Sequence, residues 1–251
     1  MREQIARGLE ALGLTPPPGA AEALAEYGRL LLEKNQVMNL TAITEPDQVA
    51  ALHFLDSAAL LAMPGLGGAA GEAGAADGKT SLAGKRLIDV GTGAGFPGLP
   101  LRLLEPSLKL TLLDSLGKRV AWLEEVCAAL GAGDTVCIHA RAEEQALLPG
   151  FRDGFDFAVS RAVASLNLLC EICLPYVKVG GRFLAMKAVD CGEELTQAGR
   201  GIALLGGRLL PCWDYRIPGT DVTHRVVVVE KIAPTPKGYP RRWTKIQKAP
   251  L

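Results

Sequence analysis

Ten residues, Asp89-Val90-Gly91-Thr92-Gly93-Ala94-Gly95-Phe96-Pro97-Gly98, narrow the possible folds more than any other part of this 251-residue chain. They follow a short apolar run, Lys85 to Val90, and open a helical pattern from Pro97 to Leu104. A glycine turn that leads a strand directly into a helix is the first unit of an alternating β/α fold. The rest of the chain repeats that unit. Strand-like runs at Leu108 to Leu113, Thr135 to His139, Phe155 to Ser160 and Arg182 to Met186 are separated by helical patterns at Gly117 to Leu130, Ser165 to Tyr176 and Gly192 to Leu205. Such alternation predicts a parallel sheet covered on both faces. The last two runs, Arg208 to Tyr215 and His224 to Lys231, are joined only by Ile217 to Thr223, too short for a crossover helix, so an antiparallel pair is expected at the end of the sheet. Ahead of the sheet, Leu24, Tyr27, Leu30 and Leu31 fall at helical spacing, and a second such pattern over 46–62 starts at Pro46-Asp47. The expected organisation is a small N-terminal helical subdomain over 1–63, a Gly/Ala-rich flexible segment over 64–84, an α/β domain over 85–232 and a basic tail over 233–251. No internal repeats are present.

The turn glycines let the backbone approach a ligand where a side chain would intrude, and the amides opening the helix can receive a carboxylate. Asp114 ends the next strand, where an acidic group can accept both hydroxyls of a ribose. Gly91, Gly93, Gly95 and Asp114, with Ser115 beside it, therefore point to a nucleotide-like cofactor. Gly93, Gly95 and Gly98 satisfy the G-x-G-x-x-G spacing of dinucleotide enzymes. That fingerprint, however, starts directly after its strand, and in that frame Phe96 stands where the third glycine belongs. The G-x-G-x-G form is similar to the first motif of S-adenosylmethionine enzymes. A parallel sheet with an antiparallel finish is likewise the plan of class I methyltransferases, a Rossmann-like fold. An NAD-dependent oxidoreductase is the competing class.

Ligands of open α/β sheets bind beyond the carboxyl ends of the strands, and two more strand ends carry charge. In Arg141-Ala142-Glu143-Glu144, Glu143 is the candidate for bonding an adenine edge, although a helix N-terminal carboxylate looks the same on position alone. In Ser160-Arg161-Ala162-Val163, Arg161 sits nearest the expected reacting group, with a surface ion pair as its alternative role.

Composition excludes several classes. No stretch approaches the roughly 18 uninterrupted apolar residues of a membrane span, because His53 and Asp56 interrupt the most apolar segment, Val49 to Ala62. Glu3, Arg7 and Glu10 interrupt the N-terminus in the same way, unlike a secretory signal. A cytoplasmic protein is expected. Six scattered cysteines do not make a disulfide framework. The one close pair, Cys170 and Cys173, lies in an apolar helical pattern with no second pair to complete a metal site, so no metal is expected. Formal net charge is zero, yet from Lys231 onward Lys231, Lys237, Arg241, Arg242, Lys245 and Lys248 meet no acidic residue. With Tyr239 and Trp243 interleaved, this run suits phosphate contact and base stacking; a solvated terminal run has the same composition.

Several motifs, in order, resemble one family: Asn39-Leu40-Thr41-Ala42-Ile43, His53-Phe54-Leu55-Asp56-Ser57, Asp89 to Pro100, Leu113 to Arg119, Arg141-Ala142-Glu143 and Ser160-Arg161-Ala162. They are similar to those of the ribosomal RNA small subunit methyltransferase G family, also called glucose-inhibited division protein B. Thr235-Pro236-Lys237 and Tyr239-Pro240-Arg241 resemble its Gram-positive-type members. The resemblance spans the chain apart from 64–84, which looks like an insertion. It implies methyl transfer from S-adenosylmethionine to N7 of guanine 527 in 16S ribosomal RNA, free or within a small-subunit particle. It also implies cofactor contacts from Gly91, Phe96, Asp114, Ala142, Glu143 and Arg161. Where the family commonly shows Lys-Gly after the fifth strand, this chain has Lys187-Ala188.

Guanine N7 presents an unprotonated lone pair, so no general base is expected and Arg161 is assigned an orienting role. For RNA, Lys237, Arg241, Arg242 and Lys245 are expected at phosphates, with Asn39, His53 and Arg225 nearer the target base. No protein partner is evident. A small-molecule methyltransferase would not need the basic run, and a non-catalytic RNA-binding module would incorporate no methyl.

Overall fold

The computed structural model describes residues 1–64, 81–161 and 164–251. The expected insertion at 64–84 lies, apart from its ends, outside the described residues, as do Ala162 and Val163. One mixed sheet organises the molecule, built from β1 (Arg86–Val90), β2 (Lys109–Asp114), β3 (Val136–His139), β4 (Phe155–Arg161), β5 (Val177–Ala188), β6 (Gly207–Leu209), β7 (Trp213–Arg216) and β8 (Thr223–Lys231). Its order is β3-β2-β1-β4-β5-β8-β6, with β7 also on β8. The first five strands pair in parallel. β8 runs antiparallel to β5 on one side and to β6 and β7 on the other. The strand order reverses between β1 and β4, and the crevice beyond their carboxyl ends is where such sheets bind ligands.

The antiparallel finish is present but differs in detail from the single strand expected over Arg208 to Tyr215. Pro211 has no N–H to offer a ladder, so the run breaks into β6 and β7. The pairing slips by one residue between Leu209↔Val229 and Trp213↔Val226. β8 is also inserted inside the sheet, which the short connection alone does not reveal.

Side chains on the strands alternate with the period of two that a pleated strand imposes. Leu87, Phe157, Leu184, Val226 and Val228 belong to one core, Ile88, Ala158, Phe183, Val227 and Val229 to the other. The first core is covered by α1 (Arg2–Ala11), α2 (Ala20–Met38), α5 (Gly98–Leu104) and α6 (Gly117–Ala129), together with a bent helical stretch. That stretch consists of α3 (Pro46–Val49), a widened turn over Ala50–Leu55 and α4 (Asp56–Ala62). The segment 1–63 thus shares one core with the sheet, as Tyr27, Phe54 and Leu55 cluster with Leu87, Leu112 and Leu184. The second face carries α7 (Ala142–Gln145), α8 (Leu166–Cys173), α9 (Gly192–Leu204) and α10 (Trp243–Lys248). Cys170 and Cys173 are both buried on α8, and burial raises both thiol pKa values. No helix among the described residues is long and apolar enough to cross a membrane.

Candidate active site

The glycine turn after β1 is held from below by Asp89. Its Oδ2 accepts hydrogen bonds from Thr92 Oγ1 and the Gly98 amide, both at 2.8 Å. Burial pushes this carboxyl up to about 6, against the pull of those two bonds. Gly98 is the close-approach glycine: a Cβ there would meet Leu112 Cδ2 at 2.8 Å and Asp89 Oδ2 at 2.9 Å. Gly91, Gly93 and Gly95 turn the chain through the left-handed region, with φ of 72°, 60° and 104°. From above, the Tyr27 hydroxyl donates to the Ala94 carbonyl. The Phe96 ring stacks between Tyr27, at 5.2 Å, and His53, at 4.5 Å between centroids. The N-terminal helices therefore shape the turn directly.

Two cavities meet at Gly91, Asp114 and Ser115. The larger, about 480 Å³, is lined by Gly93, Phe96, Thr41, His53, Arg119 and Arg161 as well as those three. The smaller, about 110 Å³, continues past them to Ala142, Glu143, Ile172 and Trp243. Asp114 stands at the junction with its carboxylate fixed: Oδ2 accepts from the Gly93 amide at 3.0 Å and Oδ1 from the Leu116 amide at 2.9 Å. Each oxygen retains a second lone pair for a ligand hydroxyl.

His53 and Arg161 also line a third cavity of about 500 Å³, bounded by Asp56, Met186, Lys187, Asp190, Glu194 and His224 among others. They form the partition between it and the turn cavity. Arg161 is held by three hydrogen-bond acceptors on the bent helix and by the face of the Phe96 ring. One terminal nitrogen donates to Asp56 Oδ2 at 2.8 Å and to the Leu52 carbonyl at 3.0 Å, the other faces His53 Nδ1 at 3.1 Å, and the guanidinium lies 5.1 Å from the Phe96 ring centre. The widened turn makes the Leu52 interaction possible, because the Asp56 amide reaches back to Ala51 there and loosens the regular ladder. Asp56 Oδ1 in turn accepts from the Tyr215 hydroxyl at 2.6 Å and pairs with His224 Nδ1 at 2.8 Å. One carboxylate, 1% exposed, thus joins the N-terminal helices, β4, β7 and β8. Burial pushes Asp56 up, but the bonds from His224 and Tyr215 and the Arg161 charge outweigh it and hold it below the usual carboxylate range.

His53 is locked in one tautomer. Nδ1 faces an arginine N–H and must accept, so Nε2 carries the proton and donates to Thr41 Oγ1 at 2.8 Å. Burial, then the Arg161 charge, drives its pKa down from 6.5 to about 3. No lone pair of this ring is left to take a proton from a substrate. The folded value lies below the unfolded one, so His53 withdraws stability as pH falls from 6.5 toward about 3. In an NMR titration the His53 ring resonances are expected to stay in place between about pH 8 and about pH 5, around the ordinary histidine pKa. An inflection there would contradict the buried neutral ring.

The profile of a family described as rRNA small subunit methyltransferase G matches residues 20–212. The chain belongs to the rRNA small subunit methyltransferase G family. The Ribosomal RNA small subunit methyltransferase G of Alkaliphilus oremlandii is 42% identical over 251 residues, covering 100% of this chain and 99% of that one. That of Alkaliphilus metalliredigens is 44% identical over 244 residues, covering 97% and 96%. That of Clostridium perfringens is 43% identical over 225 residues, covering 90% and 88%. Among solved structures, TrmN from Thermus thermophilus aligns with a TM-score of 0.47 at 23% identity, over 60% of this chain and 45% of that one; the fold assignment rests on the strand order instead.

Within this chain, the structure gathers most of the residues expected at the cofactor. Gly91, Gly93, Phe96, Asp114, Ser115 and Arg161 line the turn cavity, and Ala142 and Glu143 the smaller one. Gly95 does not line either. A Cβ on it would strike the Tyr27 hydroxyl and Leu123, so its absent side chain serves helix packing. Of the three residues expected near a target base, only His53 lines the third cavity. Asn39 instead caps α2 in a left-handed conformation, φ 51°, and its neighbours Leu40 and Thr41 reach the turn cavity. Arg225 follows His224 on β8 and so projects from the opposite face, where Asp214 holds it by two bonds at 2.6 and 2.7 Å.

Arg241 is also corrected. Its side chain grips Glu171, which is 0% exposed, at 2.7 and 2.5 Å, leaving little of the guanidinium for phosphate. Lys237, Arg242 and Lys245 are exposed. Sequence reasoning missed Asp56, Tyr215 and His224. Asp56 was signalled only by its place in the His53 to Ser57 motif of a largely apolar helical stretch, and Tyr215 and His224 carried no signal.

Proposed function

We propose that this chain transfers methyl from S-adenosylmethionine to N7 of guanine 527 in 16S ribosomal RNA, in the cytoplasm. Family membership supports the reaction, and the partitioned pair of cavities is the observation that carries the reading onto these residues. The residues fit the cofactor. Asp114 would hold the ribose, the backbone around Gly91 and Gly93 the methionine half, and Ala142 and Glu143 the adenine. When bound, S-adenosylmethionine supplies an electrophilic methyl on a positively charged sulfur.

The acceptor base then belongs in the third cavity, across the His53 and Arg161 partition. That cavity suits a base that becomes cationic on methylation. Asp56, Asp190 and Glu194 face it against Arg161 and Lys187, so carboxylates outnumber the fixed cations. Asp56 neutralises Arg161 at 2.8 Å, and Glu194 does the same for Lys187 at 2.8 Å. A preorganised, slightly anionic wall stabilises charge that develops during transfer without reorganising. Arg161, clamped by Asp56, Leu52 and His53, is built to orient and not to move protons. His53 cannot act as a base for the reasons above, and N7 needs none. Alignment of donor and acceptor where the two cavities meet at His53 and Arg161 would supply most of the acceleration, for which good positioning can provide about 7 to 11 kcal/mol.

Two measurements test this reading. In thermal-shift titrations S-adenosylmethionine is expected to stabilise the protein and NAD to leave it unchanged; the reverse would favour the oxidoreductase. For RNA, neutralising Lys237, Arg242 and Lys245 together is expected to flatten the salt dependence of binding by about 2 to 3 units, whereas Arg241 is excluded from that set. An unchanged slope would remove the C-terminal segment from the RNA surface.

A further inference from the structure

The smaller cavity has one wall that comes from an unexpected place. Ala142 and Glu143 line one part of it, and Trp243, the first residue of α10, lines another. Trp243 is the one aromatic side chain among the described residues around this cavity. We propose that Trp243 is a cofactor-binding residue, so that the C-terminal segment completes the adenine pocket of the enzyme. The proposal rests on the methyltransferase reading above and extends it.

The segment is anchored far more firmly than an RNA-binding tail requires. Two residues before the ring, Arg241 gives Glu171 its backbone amide at 2.9 Å as well as its guanidinium at 2.7 and 2.5 Å. Further upstream, Arg152 donates to the carbonyls of Thr235 at 2.7 Å and Tyr239 at 2.8 Å. Beyond the ring, Ile246 is 0% exposed in the second core. The Arg141 guanidinium lies 5.1 Å from the centre of the Trp243 ring, and it caps the helix that carries Ala142 and Glu143. The two walls are therefore tied to each other. Taking an ion pair out of water is costly and is a poor way to gain stability alone. It does fix a geometry, and here it fixes the ring beside the cavity. A flat heteroaromatic base is held well by an aromatic wall, and losing such contact weakens binding several-fold to about a hundredfold.

The test uses S-adenosylhomocysteine as probe, with calorimetry for affinity and intrinsic fluorescence for contact. The chain has three tryptophans, so Trp243→Phe leaves Trp122 and Trp213 as the background. Wild type is expected to bind with a fluorescence change; Trp243→Phe to bind comparably with most of that change gone; Trp243→Ala to bind roughly tenfold more weakly or worse. Wild-type affinity in Trp243→Ala would overturn the proposal. Should that variant fold poorly, an undiminished fluorescence change in Trp243→Phe overturns it equally. Failure of the wild-type protein to bind the probe would overturn the methyltransferase reading itself.

Discussion

Replacing Asp56 with alanine is expected to destabilise the fold by about 3 to 5 kcal/mol, the penalty for leaving a buried charge without its partner. The single-turnover rate of methyl transfer should fall about a hundredfold as well, since small losses of alignment have effects of that size. Three groups lose their common acceptor at once: the Arg161 guanidinium, the Tyr215 hydroxyl and His224. A second variant removes the charge without removing the side-chain volume. Asp56→Asn keeps the shape and an oxygen acceptor but removes the negative charge that neutralises Arg161. It leaves the Arg161 charge equally unpaired but opens no cavity, so it should lose less stability than Asp56→Ala and still transfer slowly, with cofactor affinity little changed. A full wild-type rate in Asp56→Asn would show that the charge is irrelevant to transfer. The same carboxylate gives a signed acid response. Its folded pKa lies below the ordinary 3.8, so its contribution is complete above that value and is lost as pH falls below it.

Asp114→Ala should have the other large effect, on the cofactor and not on RNA. Two hydrogen bonds to a charged acceptor are worth about 1.5 to 3 kcal/mol each, so S-adenosylhomocysteine affinity should drop by about two orders of magnitude or more. The Gly93 and Leu116 amides lose their acceptor too, which loosens the turn on both sides of the junction. Calorimetry on the folded variant reads the loss. An affinity within about threefold of wild type would remove Asp114 from the ribose site, since threefold is far less than one such bond.

The fold was legible because its signals are local and periodic. Strand runs alternate with helices, and the glycine turn sits between β1 and α5. The strand ends followed from the general position of ligands in such sheets, which is why Asp114, Glu143 and Arg161 come together. What sequence periodicity did not reveal is set by long-range pairing. That β8 lies between β5 and β6 is decided by the sheet as a whole. Asp56 meets Tyr215 and His224 across more than 150 positions of chain, and only the folded topology brings them together. The basic run near the C-terminus misled in a different way. Charge counts treat Arg241 and Arg242 alike, yet one is drawn inward by Glu171 and the next faces solvent. His224 and Arg225 differ for a simpler reason, the alternation of a pleated strand, and their faces could be assigned once β8 had a register.

On the proposed function, methyl passes to a guanine N7 from a cofactor seated at the β1 turn. Its most direct test is to incubate the protein with labelled S-adenosylmethionine and small subunits lacking the modification, then cleave the 16S RNA by chemistry selective for N7-methylated guanine. Label in that RNA and a single new cleavage at guanine 527 are expected, both abolished in Asp114→Ala. Label at another base or another atom, or no label with cofactor bound, would contradict that function.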